Sequence, residues 1–202
     1  MPPLLAAAWI ACVLLALVAG AWAGVRWARR RWPADGPLRR GDSGLPNRAA
    51  ALDYLVRMVS LAERRGLSVT VLVIALDEVP ASRTALDEAE RDVARRLTPR
   101  LRTHEVLAHW GPGQFLVVLP GADVPSALVL AGDLRQLAAA PAADGPTARA
   151  GDAGRSVSIG VHSRAPRGGQ DLRALAAEMV IAAQRALEVT QANGPGRIEI
   201  EP

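Results

Sequence analysis

Lysine is missing altogether: all 24 basic residues are arginine. That excludes a Schiff-base lysine and the phosphate-gripping lysine of a P-loop. The single cysteine, Cys12, excludes a disulfide framework and a cysteine-built zinc site. Aromatic side chains are scarce, with five Trp, one Tyr and one Phe. Four of those Trp (Trp9, Trp22, Trp27 and Trp32) crowd the first 32 positions. The histidines make no metalloprotease motif, because His104 and His109 are five apart where the helical zinc signature needs about four. On a strand that spacing turns them to opposite faces. His162 has no partner legible in the sequence. Intrinsic disorder of the whole chain is excluded by 50% apolar and 22% charged residues.

What is present is unevenly placed. Residues 1–41 carry six Arg and one Asp, a net of +5, while residues 42–202 carry 18 Arg and 19 acids, a net of −1. The basic character therefore belongs to a short N-terminal stretch. A nucleic-acid-binding domain carries its own basic face, so no nucleic-acid partner is expected.

Leu4 to Val25 is a run of 22 residues without a charged side chain. As a helix it would span roughly 33 Å, enough to cross a hydrocarbon core of about 30 Å. Trp9 near one end, and Trp22 and Trp27 near the other, suit the interfacial aromatic belts. Arg26, Arg29, Arg30 and Arg31 follow at once, and the positive-inside rule puts that side in the cytoplasm. A cleaved signal peptide is the rival, with Ala19-Gly20-Ala21 or Ala21-Trp22-Ala23 as cleavage sites. Signal peptides carry their positive charge before the apolar run, however, and here it comes after. The expectation is a single-pass anchor over residues 1–28 in the inner (cytoplasmic) membrane, its partner there being the lipid bilayer. A basic juxtamembrane linker then runs over 29–41 and a cytoplasmic domain over 42–202.

The pattern of that domain predicts an α/β fold. Leu52, Leu55, Val56, Val59 and Leu61 recur at helical spacing, and Gly66 ends the run. Ser68–Leu76 reads as a buried strand, Ser82–Leu101 as an amphipathic helix, and Val106–Trp110 and Phe115–Leu119 as two strands. Gly111-Pro112-Gly113-Gln114 reads as the four-residue turn between them. A helix over Asp123–Ala140, a small-residue loop over Pro141–Arg155, a strand over Val157–His162, a helix over Asp171–Asn193 and an edge strand over Arg197–Ile200 complete the order α-β-α-β-β-α-β-α-β.

Four local motifs in this order resemble the GGDEF domain of diguanylate cyclases. Ser43-Gly44-Leu45-Pro46-Asn47-Arg48 resembles the family's opening LTGLPNR turn, and Val71–Asp77 its first strand, which normally ends in Asp-x-Asp. Gly111–Phe115 occupies the hairpin that carries GGDEF or GGEEF, and Val157–Val161 resembles the later VSIGVA strand. The resemblance covers roughly residues 42–200. It implies a palm-like domain, a central mixed sheet flanked by helices, here preceded by a single transmembrane helix. In active members it implies condensation of two GTP into cyclic di-GMP across a homodimer, with two Mg²⁺.

The resemblance also shows what is gone. The first carboxylate of Asp-x-Asp, a metal ligand in the family, is Ala75, and only the second, Asp77, is kept. The acidic third position of the hairpin, another ligand, is Gly113, and the Glu after it is Gln114. The second Gly, whose bare backbone lets phosphates approach, is Pro112, which also lacks an N–H. The guanine-reading segment between Asp77 and Gly111 is absent, with Arg83 near its Asn, and the phosphate-holding Lys and Arg align with Gln191 and Pro195. Mg²⁺ needs oxygen ligands, so no metal and no cofactor are expected. The product-inhibition motif Arg-x-x-Asp survives as Arg102-Thr103-His104-Glu105, its second basic arm aligning with Asp133 beside Arg135.

The expected function is that of a membrane-anchored, catalytically inactive GGDEF domain with a regulatory role, through self-association or a protein partner. One alternative is a cyclic di-GMP receptor using Arg102, Glu105 and Arg135, and another a weakly active cyclase. The hairpin tip is a candidate contact surface, with Trp110 and Pro112 as its apolar anchors. The competing expectation is that strand alternation buries Trp110 beneath the sheet.

Overall fold

The computed structural model describes residues 44–140 and 154–201. Helix α1 (Arg48–Arg65) starts where the Asn47 side chain accepts from the Ala50 N–H at 3.0 Å and stops at Gly66. Its buried residues, Ala51, Leu55, Val59 and Ala62, fall three and four apart on one face. Strand β1 (Val69–Leu76) is buried at every position, as a strand covered on both faces must be. Helix α2 (Arg83–Leu97) is capped by Ser82 and runs into a 3-10 turn, Thr98–Arg100. The expected helix to Leu101 tightens there because Pro99 has no N–H to donate.

Strands β2 (Val106–Gly111) and β3 (Gln114–Pro120) form the hairpin. Its turn is shorter than the expected four residues: Gly111 already pairs with Gln114, leaving Pro112 and Gly113 at the tip. Pro with its fixed φ, followed by Gly113 at φ +67°, is the residue pair a tight type II turn demands. Helix α3 (Val124–Ala139) is capped by Asp123, and helix α4 (Leu172–Ala192) by Asp171. Between them lies β4 (Val157–Arg164), longer than expected because Ser163 and Arg164 still pair with Thr70 and Val69. Strand β5 (Ile198–Glu201) closes the chain. The element order is the one expected.

The sheet runs β2-β3-β1-β4-β5, antiparallel except for the parallel β4–β5 edge. Alternation splits the core in two. Leu72, Ile74, Leu76, Phe115, Val117 and Ile159 face α2 and α3. Val71, Val73, Ala75, Leu116, Val118 and Trp110 face α1 and α4. Each fully buried aliphatic side chain contributes about 1.5–3 kcal/mol. Helix α4 lies flush on β4: a Cβ on Gly160 would stand 2.1 Å from the Ala183 carbonyl. The expected anchor (1–28), linker (29–41) and most of the loop 141–155 lie outside the described residues. Among the described residues no helix is long and apolar enough to cross a membrane.

Candidate functional site

The register brings the aligned positions to one end of the sheet. Ala75 pairs with Gln114 on one side and with Ser158 on the other. The next residue, Leu76, donates its N–H to the Gly113 carbonyl at 2.9 Å. Ala75, Asp77, Gly113 and Gln114 therefore converge where β1 ends against the hairpin.

What converges carries a single carboxylate, that of Asp77. Ala75 offers no side-chain oxygen, and a Cβ built on Gly113 points at Val79 Cγ2 (3.2 Å) and Leu76 Cδ1 (3.5 Å). A carboxylate there would enter an apolar nook and strain a backbone already at positive φ. Asp77 is committed elsewhere. Its carboxylate accepts from both serine hydroxyls of β4's start, Ser156 and Ser158, and from the Gly196 N–H at 2.8 Å. It ties β1 to β4 and to the turn before β5. Among the described residues no three His, Cys, Asp or Glu side chains cluster. These residues do not fit a pair of Mg²⁺ ions.

The Arg102–Glu105 segment is a closed turn. Glu105 N–H donates to the Arg102 carbonyl (2.9 Å), and the Glu105 carboxylate accepts from Arg102's own N–H (2.8 Å). Tyr54 OH donates to the His104 carbonyl in the same turn. Burial first, and the Glu105 charge second, push the Tyr54 phenol above its usual pKa. The Arg102 side chain is exposed. Arg135 donates to the Gly196 carbonyl at 3.0 Å, and Asp133 pairs with Arg100 at 2.5 Å. No described contact brings Arg135 to Arg102.

Trp110 corrects one expectation. It is 2% exposed, on the face covered by α1, with the Arg48 guanidinium 4.2 Å above its ring. Burial holds the Arg48 pKa below its ordinary value. Trp110 is scaffold, because even-numbered residues of β2 point into the α1/α4 layer. Pro112 is exposed at the tip, next in the chain to Gly113, whose bare side faces Val79, itself 53% exposed.

One buried polar side chain, Glu90, was not singled out from the sequence. Glu90 of α2 is buried, accepting from the Gly113 N–H at 2.8 Å and meeting His109 Nε2 at 3.2 Å. The available signal was its place on the helix's apolar stripe, with Leu86, Val93 and Leu97. His162 is held through Nδ1 against the Glu201 carbonyl, 2.9 Å away.

The family described as "Diguanylate cyclase, GGDEF domain" matches residues 42–194. The chain belongs to the GGDEF family. Solved structures of the same fold include the coiled coil and GGDEF domain of DgcB from Caulobacter crescentus, in complex with c-di-GMP. That structure is 20% identical with a TM-score of 0.70, over 93% of this chain and 99% of the other. The diguanylate cyclase SiaD of Pseudomonas aeruginosa, in complex with its activator SiaC, is 20% identical with a TM-score of 0.69, over 93% and 70%. A sensory box/GGDEF family protein of Caulobacter crescentus CB15 is 27% identical with a TM-score of 0.64, over 78% and 100%. No curated protein matches. Within the GGDEF frame, the tip sequence Gly-Pro-Gly-Gln-Phe keeps the hairpin and its buried Phe115 but not its carboxylates.

Proposed function

We propose that this chain is a membrane-anchored GGDEF protein without cyclase activity, acting by protein interaction or self-association at the cytoplasmic face. The observation that carries this reading is the Gly113 position. Where the family places a metal ligand, the backbone is bare, left-handed and aimed at Val79 and Leu76. Two-metal phosphoryl chemistry depends on carboxylates that clamp both cations. The remaining carboxylate, Asp77, has three protein donors of its own.

The anchor reading rests on the uncharged run Leu4–Val25 and the arginines that follow it. The complex of SiaD with its activator SiaC is a precedent, in a domain of this fold, for a protein partner. The tip of Pro112 and Val79 is the surface offered to such a partner.

Purified protein with GTP and Mg²⁺ should yield no cyclic di-GMP above a boiled control. Turnover that disappears on substituting Asp77 would overturn the reading. The cyclic di-GMP receptor alternative is tested by calorimetry with that ligand. Because Glu105 is turned onto its own turn, no heat that depends on Arg102 is expected. Fused to a C-terminal reporter active only when exported, the full chain should give no signal.

A further inference from the structure

We propose that Glu90 is a built-in lock for the hairpin, an internal carboxylate that fixes Gly111–Phe115 against α2 without any divalent cation. The family implied by the sequence uses acidic residues of the hairpin to hold metal. In this chain the hairpin has none, and a carboxylate reaches it from beneath instead.

The geometry is specific. Glu90 sits on the buried stripe of α2, between Leu86 and Val93, and is 3% exposed. A carboxylate in that place is costly unless each oxygen is satisfied. Both have partners. Oε1 accepts from the Gly113 N–H, and Oε2 meets His109 Nε2. That Gly113 N–H is not part of the β2–β3 ladder, which closes at Gly111 and Gln114. Without Glu90 it would be a buried donor with no ladder acceptor. The same glycine's carbonyl is taken by Leu76 of β1. The tip is thus held on one side by α2 and on the other by β1.

His109 extends the grip to both arms of the hairpin. It lies on β2, where the register shifts between His109 and Gly111, and its ring stands edge-on to Phe115 of β3, with centroids 6.4 Å apart. One carboxylate therefore touches the tip directly and both strands through one imidazole. A space-filling core residue at position 90 would do none of this.

Hydrogen exchange of the full chain, read by mass spectrometry on peptides covering residues 106–120, tests the lock. In the wild type, excess Mg²⁺ or EDTA should leave hairpin exchange unchanged. Glu90→Leu keeps an apolar fill but removes the acceptor. It should speed hairpin exchange about ten- to a hundredfold, the loss expected for a hydrogen bond to a charged acceptor. Strands β1 and β4 should keep their protection. Glu90→Gln, which keeps the shape and a neutral acceptor, should give a smaller acceleration, and it serves as the test if the Leu variant does not fold. Hairpin exchange equal to wild type in both folded variants would overturn the proposal. So would slowing of wild-type hairpin exchange by Mg²⁺.

Discussion

Removing the Asp77 carboxylate separates a structural residue from a surviving catalytic one. Asp77→Ala deletes one acceptor and strands three donors: the Ser156 and Ser158 hydroxyls and the Gly196 N–H. Ser158 is fully buried, so its hydroxyl has no water to turn to. A hydrogen bond to a charged group is worth about 1.5–3 kcal/mol, and an orphaned buried donor costs about 1–3 kcal/mol. Ser156 is exposed and regains water, and effects within one network do not add. The sum therefore settles near 2–4 kcal/mol rather than three times the single value. For a domain of this size each kcal/mol moves the melting temperature by roughly 2–4 °C. Thermal unfolding followed by circular dichroism should show a drop of about 5–15 °C. Ser158→Ala should cost about 1 kcal/mol. The double variant should cost less than the sum of the singles, because the two share one bond. A melting temperature within a degree or so of wild type for Asp77→Ala would refute the clamp and return Asp77 to the list of candidate catalytic groups.

In a urea titration, Trp110→Ala, which empties a buried site under α1, should destabilise the domain by about 3–5 kcal/mol, whereas Trp110→Phe, which keeps a ring under Arg48, should cost far less. Tyr54 is the one tyrosine, so absorbance near the phenolate band reports it alone. Its midpoint should lie above the ordinary phenol value of about 10. Because the folded state keeps the proton that the unfolded state loses, stability is full below that value and falls as pH rises through the folded midpoint. Glu105→Gln removes the neighbouring negative charge and should lower the midpoint. A midpoint that does not move would deny the turn geometry around His104.

The backbone of this fold was legible because its signals are local. The run VTVLVIAL has no polar face, so β1 had to be covered twice. Asn47, Asp123 and Asp171 each stand one residue before a helix and cap it. The convergence of Ala75 with Gln114 was legible only through family resemblance, since it depends on strand register. What sequence could not supply was non-local. Asp77 meets partners 79, 81 and 119 residues away, and no spacing rule encodes that. Alternation put Trp110 on one face of β2, but not whether that face is covered, and covering depends on where α1 lies. Glu90 on an apolar stripe reads equally as a helix-boundary charge or as a buried one. Only the hairpin's position decides between them.

Among the described strands, the central one is the first to be made. β1 takes β3 on one edge and β4 on the other, and the hydroxyl of Ser156, just before β4, is 79 residues downstream of Asp77. During synthesis the chain can build β2, β3 and β1 with α1 and α2 while the far edge of its most apolar strand is still unpaired. Such an edge is a template for pairing with other chains, and non-local strand pairing is slow to form. The nascent protein is thus most prone to aggregation in the interval before Val157 leaves the ribosome. Truncations that end between α3 and β4 should accumulate as insoluble material, although every element they contain is native.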